Sequence, residues 1–162
     1  MPEFRVVSAT DAPAHALLTA YFAERAESFP AAQGAYRPTF PVAEQFVPPA
    51  GVFVVLQEGP GSEYLGCGGI RRLPVAAEAG ARFEIKHLWL HPTARGRGWG
   101  RLLLTELERR AAGFGATELV LDTNASLTAA GALYVSAGYT PTTPYNDNPN
   151  ATTWLRKELT AG

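Results

Sequence analysis

Apolar and polar positions along the 162-residue chain change period several times, and each change predicts an element. Phe4 to Val7 reads as a short first strand. Leu17, Leu18, Tyr21 and Phe22 fall on one face at helical spacing. They predict a helix from about Ala12 to Ala26, with Asp11 as its cap and Pro13 in its first turn. Prolines break the segment FPAAQGAYRPTFPVAEQFVPPAG, which reads as irregular with one short helix near Val42 to Phe46. Gly51 to Gln57 and Tyr64 to Leu73 are apolar strands joined by the turn EGPGSE, a hairpin. PVAAEAGA is a small-residue loop. Phe83 to Leu90 is a third long strand, stopped by Pro92.

A helix follows from Gly98 to about Phe114. Leu103, Leu107, Ala111 and Phe114 make its buried stripe, Arg101, Thr105, Glu108 and Arg109 lie outside, and Gly115 closes it. Glu118 to Asp122 is a short apolar strand, Thr128 to Ala137 a helix closed by Gly138, and Thr152 to Leu159 the last strand. A strand–helix–strand unit implies parallel pairing of Phe83–Leu90 with Glu118–Asp122. The order predicts an α+β domain over residues 1–162: one mixed, mostly antiparallel sheet with helices on both faces.

One stretch does not fit a purely structural reading. Arg95-Gly96-Arg97-Gly98-Trp99-Gly100-Arg101 sits where a helix begins, although glycine is a poor helix former. The first N–H groups of a helix lack internal partners, and the helix dipole is positive there. Glycines let the backbone approach a ligand and aim several N–H groups at one spot, which makes an anion site suited to phosphate. Arg95, Arg97 and Arg101 add charge at its edge. No lysine follows the glycines, so the Walker pattern is absent, and glycine at every second position is not the dinucleotide-binding G-x-G-x-x-G.

Composition narrows the classes. Hydrophobic residues make up 46% and charged residues 18%, enough apolar material for a real core. A formal net charge of −1 argues against a nucleic-acid or membrane-surface binder, so neither partner is expected. Cys67 is the only cysteine. It reads as a small buried strand residue and not as a catalytic thiol, in keeping with a cytoplasmic location. MPEFRVVSATD lacks the charged-then-apolar layout of a leader, and no apolar run approaches the ~18 residues of a membrane span. His15 and His91 have no second ligand at metal spacing, so no metal is expected.

With these features together, the sequence resembles the GNAT superfamily of N-acetyltransferases. Its acetyl-CoA signature, [Q/R]-x-x-G-x-[G/A], is matched by Arg95-Gly96-Arg97-Gly98-Trp99-Gly100. Phe83 to Pro92 upstream and Leu133-Tyr134-x-x-x-Gly138-Tyr139 downstream supply the context, and the resemblance runs from about Gly51 to the C-terminus. Glu84-Ile85-Lys86, Leu121-Asp122-Thr123 and Pro144-Tyr145-Asn146-x-Asn148-Pro149 resemble a bacterial subgroup of unassigned acceptor. The resemblance implies that backbone N–H groups from Arg97 to Leu102 hold the CoA pyrophosphate. It implies that Leu88, Trp89 and Leu90 pair with the pantetheine arm, and that the two central parallel strands splay to admit it. Many members carry Asn or Gln seven residues before the tyrosine. Here that position is Leu127, and Asn124, three residues earlier, is the candidate substitute.

The resemblance also implies the chemistry. Glu84, eleven residues before Arg95, stands where the family often has a general base, acting directly or through water. Its competing reading is a strand glutamate paired with an arginine. The Leu88 N–H would stabilise the developing oxyanion. Tyr134, whose phenol ordinarily titrates at about 10, would protonate the thiolate; its competing reading is a buried aromatic with a satisfied hydroxyl. His87 alternates away from Glu84 and Lys86 and reads as packed or at the far face. Tyr145 and Asn146 border the acceptor pocket, and Tyr36, with Tyr21, Phe29 and Phe40, could line its other wall. These segments carry few acids beyond Glu44 and Asp147, which favours an amino-acid-like or uncharged amine over a polycation. The resulting expectation is acetyl transfer from acetyl-CoA to a primary amine of a small molecule or peptide, with a homodimer left open. The rival is a non-catalytic acyl-CoA sensor or partner-binding module.

Overall fold

The computed structural model describes residues 1–160; Ala161 and Gly162, the end of the expected domain, lie outside the described residues. Seven strands form one sheet: β1 (Glu3–Val7), β2 (Gly51–Gln57), β3 (Tyr64–Leu73), β4 (Arg82–Leu90), β5 (Glu118–Thr123), β6 (Thr140–Pro141) and β7 (Thr153–Glu158). Their spatial order is β1-β2-β3-β4-β5-β7-β6. All neighbours are antiparallel except β4 and β5, the pair joined through a helix. The expected mixed sheet is therefore present. The two-residue strand β6 is too short to carry a periodic signal.

Helices cover both faces. α1 (Ala12–Ser28) lies on one face, where Leu17, Leu18 and Phe22 pack with Phe46, Phe53, Cys67 and Trp89. α2 (Trp99–Gly113) and α3 (Thr128–Ser136) lie on the other, where Leu103, Leu104, Leu107 and Ala111 meet Val54, Phe83, Ile85, Leu119 and Leu121. Each fully buried leucine of α2 contributes about 1.5–3 kcal/mol, which outweighs a glycine-rich helix entry costing about 1 kcal/mol per glycine. β2 is buried along its whole length because helices cover it from both sides.

Three local expectations change. α2 starts at Trp99, with Gly98 as its cap. Asp11 caps α1 without a side-chain bond to the helix; its carboxylate accepts the Ser8 N–H instead. Glu108 is not on the outer face of α2, because it accepts from the Tyr139 hydroxyl (2.8 Å) and the Lys157 ammonium (3.0 Å).

Candidate active site

The turn between β4 and α2 has the backbone of an anion cradle. Gly96 and Gly98 have φ of 79° and 78°, the left-handed region that disfavours side chains. A Cβ at either would meet nothing within 4 Å, so this surface is open to a ligand. Among the described residues, the N–H groups of Gly96 to Arg101 have no hydrogen-bond acceptor, whereas the Leu102 N–H bonds the Gly98 carbonyl (3.3 Å). Leu102 thus closes the first helical turn and drops out of the expected cradle.

The three arginines are placed differently from a simple charged rim. Arg95 bonds the Leu90 carbonyl and both oxygens of Glu24, tying the turn to α1. Arg101 reaches the Ser136 hydroxyl and carbonyl at the end of α3. Arg97 covers the ring of Trp99 at 4.7 Å and pairs with the exposed Glu58. Trp99 itself is in the core. What the turn offers a phosphate is mainly backbone.

The strand leading into this turn contains a bulge. Cys67 pairs with Trp89 but Gly69 pairs with Lys86, so His87 and Leu88 together stand opposite Gly68. His87 takes φ of 60°, a region where histidine is among the enriched non-glycine residues. The extra residue shifts the alternation. Leu88 and Leu90 pack toward α2, while Trp89 packs toward α1. His87 is also turned toward α1, against Phe22 (5.8 Å) and Phe46 (6.2 Å). It is packed, one of the two expected outcomes, and it lies on the α1 face.

Burial, together with the charges of Lys86 and Arg71, pushes the His87 pKa down from 6.5 to about 3. A histidine held neutral in the fold but free to protonate when unfolded favours folding fully above pH 6.5. That contribution is lost as pH falls from 6.5 toward 3. The melting temperature should therefore fall across that window. His87→Asn, which tolerates the same backbone, should flatten this part of the profile in a thermal melt series. An unchanged slope would show that His87 titrates normally.

β4 and β5 pair only from Arg82↔Glu118 to Glu84↔Val120. Beyond that point β5 continues against β7 as far as Thr123, and β4 continues against β3 as far as Leu90. The expected splay is this gap; it begins after Glu84, and Leu88 lies on its unpaired β4 stretch. Tyr134 of α3 stands at it: buried, edge-on to Tyr139 (5.9 Å), with no hydrogen bond to its hydroxyl among the described residues. Burial raises the Tyr134 phenol, and the Asp122 carboxylate raises it further. Burial likewise raises the Tyr21 phenol; the neighbouring Tyr36 and Tyr134 phenols add to this while Arg25 opposes it. Tyr21 stacks on Trp89 (6.2 Å). Tyr134, from one face, and Tyr21, from the other, thus lie within electrostatic reach across the gap.

Glu84 is fully buried at the closed end of that gap. Arg71 holds one carboxylate oxygen through Nε (2.9 Å) and Nη2 (2.8 Å), and the Tyr145 hydroxyl donates to the other at 2.6 Å. Gln45 steadies Arg71 from the far side. The reading of Glu84 as an arginine-paired glutamate therefore describes its surroundings, and neither oxygen faces an amine directly. Arg71 and Gln45 were not legible as site residues, since they lie 13 and 39 positions away in sequence and carry no motif.

Two other candidates are occupied. The Asn124 amide donates to Gln33 (2.7 Å) and the Asn150 carbonyl (3.0 Å), while its oxygen accepts from Ser126. Its side-chain amide is therefore engaged by Gln33, Asn150 and Ser126 together. Asn146 donates to Asp122 (2.7 Å) and accepts from the Trp154 indole (2.9 Å) and the Asn148 N–H (3.2 Å). Asn148 repeats the pattern toward Asp122 and the Asn150 N–H. These alternate asparagines brace the loop by side-chain-to-backbone turns and clamp it to β5 through the Asp122 carboxylate, beside Tyr145. Tyr36 is half-buried against Phe22, Phe29 and the guanidinium of Arg25.

Known proteins resemble this chain in sequence and in fold. The acetyltransferase (GNAT) family model matches residues 14–139. An uncharacterised N-acetyltransferase of Schizosaccharomyces pombe is 33% identical over 105 residues, 65% of this chain and 61% of that relative, so the chain matches less than two thirds of the relative's length. Among solved structures, a provisionally assigned acyl-CoA N-acyltransferase from Klebsiella pneumoniae superposes with a TM-score of 0.75 at 27% identity, over 99% of both chains. A GNAT-family acetyltransferase from Elizabethkingia anophelis, with acetyl-CoA bound, superposes with a TM-score of 0.63 at 16% identity over 98% of both chains, a likeness of fold.

Proposed function

The chain belongs to the GNAT acetyltransferase family, and from that premise we propose that it moves the acetyl group of acetyl-CoA to a primary amine at the gap between β4 and β5. The observation that carries this reading is the co-occurrence of three features on β4, the turn after it and α3. These are the cradle of unbonded N–H groups at Gly96 to Arg101, the splay beside the Leu88 bulge, and the unbonded phenol of Tyr134 at the splay. Acetyl-CoA supplies an activated thioester; the protein's part is to hold it and move protons.

In this reading the cradle holds the pyrophosphate and the open edge of β4 from Leu88 to Leu90 receives the amide-bearing arm. The Leu88 N–H stabilises negative charge growing on the thioester oxygen. A C–N bond forms as the C–S bond breaks. Tyr134 gives its proton to the departing sulfur, and its raised pKa keeps it protonated until then. The proton leaving the amine passes to the Tyr145 oxygen while the Tyr145 proton moves to Glu84, the only carboxylate that phenol touches among the described residues. Glu84 therefore acts through Tyr145 and not by direct contact.

Tyr145→Phe tests that route more cleanly than Glu84→Gln, which would leave Arg71 without its counter-charge. The phenylalanine should lower kcat by roughly 10- to 10²-fold with acetyl-CoA affinity unchanged, and higher pH should restore part of the rate by supplying free amine. Wild-type kcat would mean that the amine arrives neutral and the Glu84–Tyr145 pair only supports the loop. The reading as a whole is tested by amine-dependent CoA thiol release with mass detection of the N-acetyl product. Release at background rate by a protein that binds acetyl-CoA would identify a sensor.

A further inference from the structure

α1 carries a buried cation that no acid among the described residues balances. Arg25 is 5% exposed, its Nη1 is shut off from solvent, and it makes no hydrogen bond or ion pair among the described residues. Its guanidinium lies over Tyr36 (5.0 Å) and Phe29 (5.6 Å). The adjacent acid, Glu24, does not answer it, because both Glu24 oxygens are engaged by Arg95. Buried charges are ordinarily paired, since an isolated one forfeits its solvation. Aromatic faces offset part of that cost but leave the N–H groups without acceptors.

The position matters as much as the deficit. Arg25 is one helical turn beyond Tyr21 on the same face of α1, and Tyr21 stacks on Trp89, the residue after Leu88. Trp89 has the same defect: its Nε1 is buried without an acceptor. Of the three buried side-chain nitrogens lacking a partner among the described residues, two therefore flank Tyr21 on the acceptor side of the gap, the third being Arg82 Nε. Every one is a donor, so what is missing at this wall is an acceptor, and beside a guanidinium the best acceptor is a carboxylate.

We infer that Arg25 receives a carboxylate on the acceptor, so that the substrate class is amino acids, molecules bearing both the reacting amine and a carboxylate. The inference rests on the acetyl-transfer reading for the identity of the ligand as acceptor. Phe29 and Tyr36 hold the guanidinium in place, and Tyr21 spaces the carboxylate from the thioester. Arg25 is a specificity residue and takes no part in bond making.

The test compares matched pairs, each amino acid beside its decarboxylated amine, in acetyl-CoA-dependent thiol release. A second arm needs no turnover: binding of the N-acetyl amino acid and the matching N-acetyl amine to CoA-loaded protein by calorimetry. The wild type should prefer the carboxylate partner by roughly tenfold or more in both arms, the effect of a charge-assisted bond. Arg25→Met, which keeps the stem, should bring both ratios close to one, with folding checked by a CoA-dependent thermal shift. Should that variant not fold, Arg25→Lys keeps the charge without the planar fork and should reduce the preference without abolishing it. Equal treatment of the two members by wild type, in either turnover or binding, overturns the inference and leaves acetyl transfer standing. Carboxylate-selective binding with no thiol release supports Arg25 as the anion site and removes the transfer reading.

Discussion

Gly98→Val should raise the acetyl-CoA dissociation constant by roughly tenfold or more while the protein still folds. Gly98 caps α2 at φ 78° and ψ 9°. Left-handed backbone costs an L-residue about 1–2 kcal/mol, more for a β-branched one, so the valine variant leaves the conformation that aims the Gly96 to Arg101 N–H groups together. Restoring that conformation on binding subtracts the same energy from affinity, a factor of about 5–30, before any obstruction by the new side chain. The fold should tolerate the change because a Cβ there meets nothing within 4 Å. Gly100 makes a control. It lies in the first turn of α2, and its Cβ would stand at ordinary contact distance from Leu133 (3.5 Å) and Leu90 (3.6 Å), so Gly100→Ala should cost far less. Calorimetry with acetyl-CoA reads both; unchanged affinity in Gly98→Val would remove the turn from the site.

Tyr134→Phe should lower kcat by roughly 10- to 10³-fold, with acetyl-CoA affinity close to wild type. The ring keeps its edge-on contact with Tyr139 and its place in the α2-side core, and its hydroxyl breaks no hydrogen bond within the described chain when it is lost. Stability should consequently barely move, or rise slightly. Steady-state thiol release beside a thermal melt separates the roles: full turnover by the phenylalanine variant would end the general-acid assignment.

How far the sequence reached follows from the range of each interaction. The β4–turn–α2–β5 unit was legible because it is local: an apolar strand, a proline stop, glycines at a helix entry and a leucine stripe follow one another within about forty positions. The His87 bulge was not. Strict alternation sets His87 on the face opposite Glu84 and Lys86, and a single residue inserted opposite Gly68 reverses this. The arginine turn was located correctly, yet the destinations of Arg95 and Arg101 depend on Glu24 and Ser136, 71 and 35 positions away. Asn124 and Asn146 have the side chains of ligand-binding residues, and only the fold brings up Gln33, Asp122 and Trp154 to consume them. Glu84 posed the same problem. Its residue type and spacing suit a base, while the arginine that pairs with it lies across the β3–β4 ladder, at Arg71↔Glu84.

The most direct test of the account is a crystal structure with CoA bound. The pyrophosphate should sit on the N–H groups of Gly96 to Arg101, the arm should run along Leu88 to Leu90 in the gap facing β5, and the sulfur should lie within about 4 Å of the Tyr134 hydroxyl, just beyond ordinary hydrogen-bond range for oxygen acceptors. CoA seated elsewhere, or a Tyr134 hydroxyl turned away from the sulfur onto a backbone carbonyl, would contradict it.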